Sequence, residues 1–279
     1  MNGITWLASY PKSGNTWMRV FLTNLLSNDR KPVDINKLTI PNFSDRQRWD
    51  DMFGWSTSDF KEEVSWAARF DIQNALARLN GADRMFKTHD AFRDPASREP
   101  LFSATATLGA ICIIRHPLDV VLSFANHMNR PVDVAIEKMN NRAARMADNS
   151  TTSRPQLTQI LGDWSWHVSS WADATEIRTS IIRYEDMTSS PQATFAGACS
   201  FLGLTNSATE IASAIERSRF ETLKEQEGVR GFREKPRRCP RFFNEGRVGR
   251  WRDVLTSSQV KKITSMHGDM MKRFGYVDA

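Results

Sequence analysis

Ile4-Thr5-Trp6-Leu7-Ala8 runs into Ser9-Tyr10-Pro11-Lys12-Ser13-Gly14-Asn15-Thr16-Trp17, and Met18 to Leu26 leads out of it. The first run is apolar and predicts a buried strand; the last carries apolar residues at helical spacing. Strand, tight loop and helix follow one another. Such a loop can bind an anion. Gly14 lets the backbone approach a ligand, and the first amides of the helix point outward with the positive end of its dipole. Lys12 adds a full charge, and Ser13 and Thr16 add hydroxyl donors. The same residues also suit a turn that merely caps a helix. The loop is not of the nucleoside-triphosphate type, which needs two glycines and then Gly-Lys-Ser/Thr, because here the lysine precedes a single glycine. The expectation is a phosphate cradle rather than an ATP site with magnesium.

The composition admits one ordinary α/β domain. Among 279 residues, 40% are hydrophobic and 25% charged, enough for a normal core. A net charge of +6 favours an anionic ligand or surface without choosing among nucleotide, nucleic acid and acidic lipid. Cys112, Cys199 and Cys239 are odd in number and far apart, which predicts neither a disulfide framework nor a zinc site and fits a reducing compartment. No stretch has the pattern of a secretion signal or the apolar length of a bilayer span, so the chain is expected to be soluble and cytoplasmic.

Along the chain, Asn28 to Thr57 reads as irregular, with Trp49, Phe53 and Trp55 available either to line a pocket or to plug a satellite core. Ser58 to Asn80 has helical spacing with Gly81 as its stop. Met85-Phe86 predicts a second strand running into Lys87-Thr88-His89, and extended backbone there puts Lys87 and His89 on one side. Leu108 to Ile114 is a continuous apolar run, as expected of a strand covered on both faces. It ends in Arg115, and Pro117 suits the first turn of the helix that carries Ser123. In an open parallel sheet, functional groups collect beyond the carboxyl ends of the strands, which raises Lys87, His89 and Arg115 above ordinary surface residues.

Pro131 to Ala147 predicts a helix, and the polar break Asp148 to Pro155 suits a lid. Trp164, Val168 and Trp171 form a core stripe. Ser180 to Tyr184 is a fourth strand, and helices are expected over Pro191–Leu202, Thr209–Arg217 and Val260–Phe274. Between them, Gln226 to Arg252 reads as a basic loop whose phenylalanines could serve single-stranded nucleic acid or close over a phosphorylated nucleotide.

Taken together, six stretches in this order resemble the cytosolic-type sulfotransferases, which use 3′-phosphoadenosine 5′-phosphosulfate (PAPS). Tyr10-Pro11-Lys12-Ser13-Gly14-Asn15-Thr16-Trp17 resembles the family's 5′-phosphosulfate loop, and Lys87-Thr88-His89 its catalytic segment. Arg115, with Ser123 eight residues on, resembles the grip on the 3′-phosphate. Arg183-Tyr184-Glu185-Asp186 is similar to the stretch whose tyrosine lies by the adenine. Ser218-Arg219-Phe220 resembles the Thr-Ser-Phe segment, and Phe242 to Trp251 resembles Phe-Phe-Arg-Lys-Gly-x-x-Gly-x-Trp. Two departures stand out. Asn244-Glu245 replace Arg-Lys before Gly246, with Arg241 or Arg247 as candidate substitutes, and the segment after Trp251 lacks the pattern used for dimer contact in many animal members.

The resemblance implies a single α/β domain over residues 1–279 with a central, mostly parallel sheet, and an enzyme that moves a sulfuryl group in line from PAPS to a small-molecule hydroxyl or amine. His89 would be the general base, and Lys12 and Lys87 would stabilise charge on the bridging and sulfuryl oxygens. Ser13, Gly14, Asn15 and Thr16 would hold the 5′-phosphate, and Arg115, Ser123, Gly246 and Arg247 the 3′-phosphate. Trp17, Tyr184 and Phe220 would surround the adenine, and Ser218 would be a further cofactor-binding residue. No metal, nucleic acid or membrane segment is called for, and the oligomeric state is open. The acceptor pocket is expected from residues 28–57 and 90–107 and the helix after Pro131. A kinase-like phosphoryl transferase would need a Gly-Lys-Ser/Thr loop, and a nucleic-acid module would leave His89 and the first loop without a role.

Overall fold

The computed structural model describes the chain except residues 1, 2, 28, 55, 58–61, 80–83, 148–155, 278 and 279. In chain order the elements are β1 (Ile4–Ser9), α1 (Asn15–Leu26), α2 (Arg46–Phe53), α3 (Glu62–Arg78), β2 (Met85–Thr88), β3 (Thr107–Ile114), α4 (Pro117–Met128) and α5 (Val132–Asn140). They continue with β4 (Arg145–Met146), β5 (Gln159–Ile160), α6 (Trp164–Ala172), β6 (Thr179–Arg183), α7 (Tyr184–Ser189), α8 (Pro191–Phe201), α9 (Ala208–Arg217), α10 (Phe220–Arg230), α11 (Trp251–Val254) and α12 (Ser257–Arg273). The parallel sheet has the strand order β2-β1-β3-β6. Alternation of strands with helices, and β1 and β3 buried almost throughout, are what a sheet covered on both faces requires.

Two compact units are woven from alternating segments. The first comprises Met1–Tyr10, Ile40–Cys112 and Asn141–Ser180. In it β1 and β2 pair in parallel with Leu7 opposite Lys87 and Ala8 opposite Thr88. Trp164, Val168 and Trp171 are fully buried on α6, as the stripe predicted. Phe92 and Phe102, expected among the acceptor-pocket residues, are buried in the core instead, with Phe102 packed on Trp171 at 4.8 Å between ring centroids. The second unit comprises Pro11–Thr39, Ile113–Asn140 and Ile181–Ala279. It holds α1, α4, α5 and α7 to α12, with α1 packed on α9 and α4 on α5.

Four boundaries differ from expectation for local reasons. The irregular stretch contains α2, because the Asp45 side chain accepts a hydrogen bond from Gln47 N at its start and Gly54 (φ 72°) ends it in the left-handed region. The helix after Pro131 stops at Asn140 rather than Ala147. There the Asn141 side-chain oxygen accepts from Ala143 N at 2.9 Å, a local turn that competes with further helix. Gln226 to Arg230 belongs to α10, and the basic loop begins only at Gly231 (φ 71°). Ser180-to-Tyr184 ends as a strand at Arg183, and Tyr184 opens α7. The Gly81 stop and the Asp148-to-Pro155 lid lie outside the described residues.

Burial holds His116 in the second unit and His167 in the first neutral, each pushed down from 6.5 to about 4. The unfolded chain takes these protons near 6.5 and the folded chain only near 4, so stability falls as pH drops across that window. Each imidazole contributes a loss of up to about 3 kcal/mol. Tm is expected to drop clearly between about pH 7.5 and about pH 5; an unchanged Tm would contradict this account.

Candidate active site

In the second unit the loop before α1 is shaped by two left-handed residues, Lys12 (φ 70°) and Gly14 (φ 108°), on either side of Ser13. Alternating backbone handedness of this kind turns successive amides toward one concave side. Glycine is required at 14, since a Cβ there would lie 2.7 Å from a Tyr184 ring carbon. No side chain caps α1 at Gly14, and the first-turn amides of a helix are natural partners of an anion. Ser13 Oγ is buried and has no hydrogen-bond partner among the described residues. The Lys12 ammonium rests 3.5 Å from the centroid of the Phe242 ring, within the range of a cation–π contact.

Arg115, 7% exposed, ties this loop to the late one. Its Nη1 donates to Lys12 O and its Nη2 to Arg247 O, both at 3.3 Å. The guanidinium carbon lies 4.2 Å from the Tyr184 ring centroid, and buried Nε has no partner among the described residues. Tyr184 OH donates to Gly246 O at 2.7 Å. Gly246 (φ 66°) is a second required glycine, because a Cβ would meet the Phe220 ring at 2.7 Å. Trp17 packs edge-on to Tyr184 at 5.7 Å, and its buried Nε1 has no partner among the described residues. Ser123 lies half-buried on α4. Loop, arginine, tyrosine, tryptophan and late glycine thus form one network within this unit.

Two further candidates have side-chain partners within the protein. The Ser218 hydroxyl donates to Ala214 O and Ile215 O at 2.9 and 3.0 Å, which closes α9, so its proton is spent on its own helix end. Arg247 joins the network through its carbonyl, while its exposed guanidinium pairs with Asp253. Glu245, at one of the missing basic positions, pairs with Arg250 Nε at 2.7 Å. Sequence reasoning passed over Glu227, whose carboxylate accepts from Phe242 N and Phe243 N at 2.7 and 2.8 Å. It also passed over Glu234, bonded to buried Arg19 at 2.7 Å. Nothing local marks either acid, because its partners are remote in the chain or are main-chain amides.

In the first unit His89, 8% exposed, follows β2 directly. Its Nδ1 lies 2.8 Å from Ser9 O. A carbonyl oxygen only accepts, so Nδ1 carries the proton and Nε2 the lone pair. His167 Nε2 donates to the His89 carbonyl at 3.2 Å, and the Gln159 side chain accepts from His89 N at 3.3 Å. Asp90 stiffens the turn: it is buried, pairs with buried Arg69 at 3.0 Å and accepts from Ile160 N at 2.7 Å. Lys87 is held by its main chain, donating to Pro41 O at 2.8 Å and accepting from Phe43 N at 2.9 Å. A cavity of about 630 Å³ is lined by Phe43, Trp49, Ile72, Leu76, Leu79 and Phe86 among others, and by neither Lys87 nor His89. Phe86 alternates to the face of β2 opposite Lys87.

Among the described residues no cluster of three His, Cys, Asp or Glu side chains is placed to hold a metal ion, and no helix is long and apolar enough to cross a membrane. The sulfotransferase domain model matches residues 3–275. Cytosolic sulfotransferase 17 of Arabidopsis thaliana is 22% identical over 286 residues, covering 98% of this chain and 75% of that protein. A mouse sulfotransferase solved with PAP (adenosine 3′,5′-bisphosphate) superposes with a TM-score of 0.61 at 18% identity, over 97% of this chain and 85% of that one. Retinol dehydratase, solved with androsterone and the inactive cofactor PAP, gives 0.62 at 18% identity, over 96% of this chain and 80% of that one.

Proposed function

The chain belongs to the sulfotransferase domain family and is a PAPS-dependent sulfotransferase, and from that premise we propose that it sulfates a hydroxyl, or an amine, of a small-molecule acceptor with His89 as the general base. The observation that carries this reading is the His89 Nδ1–H bond to Ser9 O, which leaves the Nε2 lone pair as the basic site. An imidazole with its lone pair on Nε2 can take the acceptor's proton as the new bond forms.

The donor supplies a sulfuryl group on a phosphate leaving group, and the residues present suit it. Ser13 Oγ, Arg115 Nε and Trp17 Nε1 are buried donors lacking partners among the described residues, as expected where an anionic nucleotide completes the site. The amides of Ser13, Gly14, Asn15 and Thr16 would hold the 5′-phosphate, Arg115 and Ser123 the 3′-phosphate, and Trp17, Tyr184 and Phe220 the adenine. Lys12 and Lys87 would offset charge growing on the bridging and sulfuryl oxygens.

Nucleic acid is the weaker partner for the arginine-rich loop. Glu227 holds the amides of Phe242 and Phe243, and Phe243 is buried, so these rings support the core rather than offering stacking platforms. Three free cysteines, all buried, accord with a reducing cytoplasm.

The test is a panel of phenols, alcohols, sterols and amines incubated with sulfur-labelled PAPS, alongside thermal stabilisation by PAP. Labelled product from at least one acceptor is expected. PAP at a hundred times its Kd is expected to stabilise the fold by about 2.7 kcal/mol. Stabilisation by ATP with magnesium but not by PAP would overturn the reading in favour of phosphoryl transfer. Gly246→Ala is expected to weaken PAP binding at least about tenfold, because the new Cβ meets the Phe220 ring and the residue sits at positive φ; unchanged affinity would remove Gly246 from the site. Arg247→Ala is expected to change PAP affinity less than about threefold, the guanidinium being engaged with Asp253. A large loss would return a direct phosphate contact to that side chain.

A further inference from the structure

The late loop is bonded to an acid on the segment that also carries Arg115. Asp119 lies in the first turn of α4 and is 2% exposed. A carboxylate there commonly serves its own helix, but here the His116 ring caps α4 by accepting from Leu118 N. Both Asp119 oxygens are turned to the loop instead: Oδ2 accepts from Gly249 N at 2.6 Å and Oδ1 from Trp251 N at 3.1 Å. On its other side the same loop gives the Arg247 carbonyl to Arg115 and the Gly246 carbonyl to Tyr184. Arg115 and Asp119, of opposite charge and four positions apart, therefore hold one loop, Arg115 by one carbonyl and Asp119 by two amides, with Tyr184 on a second carbonyl. The loop's own cations are committed, Arg247 to Asp253 and Arg250 to Glu245. Asp119 acts directly on the loop's main chain, through the Gly249 and Trp251 amides.

We propose that Asp119 is the positioning residue that sets this protein's preference for nucleotides bearing a 3′-phosphate, by pinning the Gly246–Trp251 loop beside Arg115. The inference rests on the PAPS reading above and adds to it a residue that need not touch the ligand. It is tested by calorimetric titration of PAP and of adenosine 5′-monophosphate into the wild type and Asp119→Asn, which keeps the side chain's shape but offers one acceptor oxygen in place of two. PAP affinity is expected to fall at least about tenfold while monophosphate affinity changes by less than about twofold, with KM for PAPS rising more than kcat falls. Equal shifts for both nucleotides, or no shift, would overturn the inference while leaving the donor reading intact. A wild type with no preference for PAP over the monophosphate would overturn both. Should Asp119→Asn fail to fold, amide exchange in the wild type decides. Gly249 and Trp251 are expected to exchange more slowly, relative to their intrinsic rates, than Val248, and equal protection would remove the pin.

Discussion

Replacing His89 with alanine is expected to lower kcat by about a hundredfold to ten-thousandfold with PAP affinity nearly unchanged. On the proposed role of His89, the size follows from the loss of a positioned base. Ser9 O fixes the proton on Nδ1, so in the wild type every neutral imidazole has its lone pair on the atom that can take the acceptor's proton. His89→Gln sharpens the test. An amide can still donate to Ser9 O but has no basic nitrogen, so this variant is expected to fold normally and to be as inactive as His89→Ala. Ordinary turnover in either protein, measured with labelled PAPS and an acceptor found in the panel, would end the assignment of His89 as base.

The second large effect is expected at Lys12. Lys12→Ala should lower kcat by about a hundredfold to a thousandfold, the range seen when one preorganised donor to a developing charge is removed. Both residues have a Cβ, so the left-handed backbone at this position is strained equally in each. Lys12→Arg is expected to recover little. A planar guanidinium directs its donors as a fork, whereas a lysine ammonium is a compact charge that can turn toward a single oxygen. The ammonium's place on the Phe242 face holds it in the loop, and Glu227 in turn holds the Phe242 amide. If Lys12→Ala retains wild-type kcat at saturating PAPS, the charge on the leaving phosphate must be met by other groups.

Much of this protein was legible without coordinates, where local pattern is enough. The continuous apolar runs at β1 and β3 predict strands covered on two faces, and Pro117 and Gly14 mark the starts of α4 and α1. Errors fell where short polar side chains redirect the backbone. Asp45 starts a helix in a stretch that reads as irregular, and Asn141 ends one early. Aromatic residues were ambiguous for another reason: Phe92, Phe102 and Trp49 can line a pocket or fill a core by composition alone, and only packing separates these roles.

Read from the sequence alone were the first strand, loop and helix, the resemblance to the family and a roster of candidates, Lys12, Lys87, His89, Arg115 and Ser123, because backbone propensity and residue spacing are local properties. Only the tertiary structure decided what the roster's hydrogen bonds are. The proton on His89 Nδ1 depends on Ser9, 80 residues away, and the late loop depends on Asp119, 130 residues from Gly249. Ser218 turned out to close its own helix, and Arg247 to contribute its carbonyl. Hydrogen bonds need donor and acceptor within about 3 Å of each other, and for residues so far apart in the chain that condition is met only once the fold has formed.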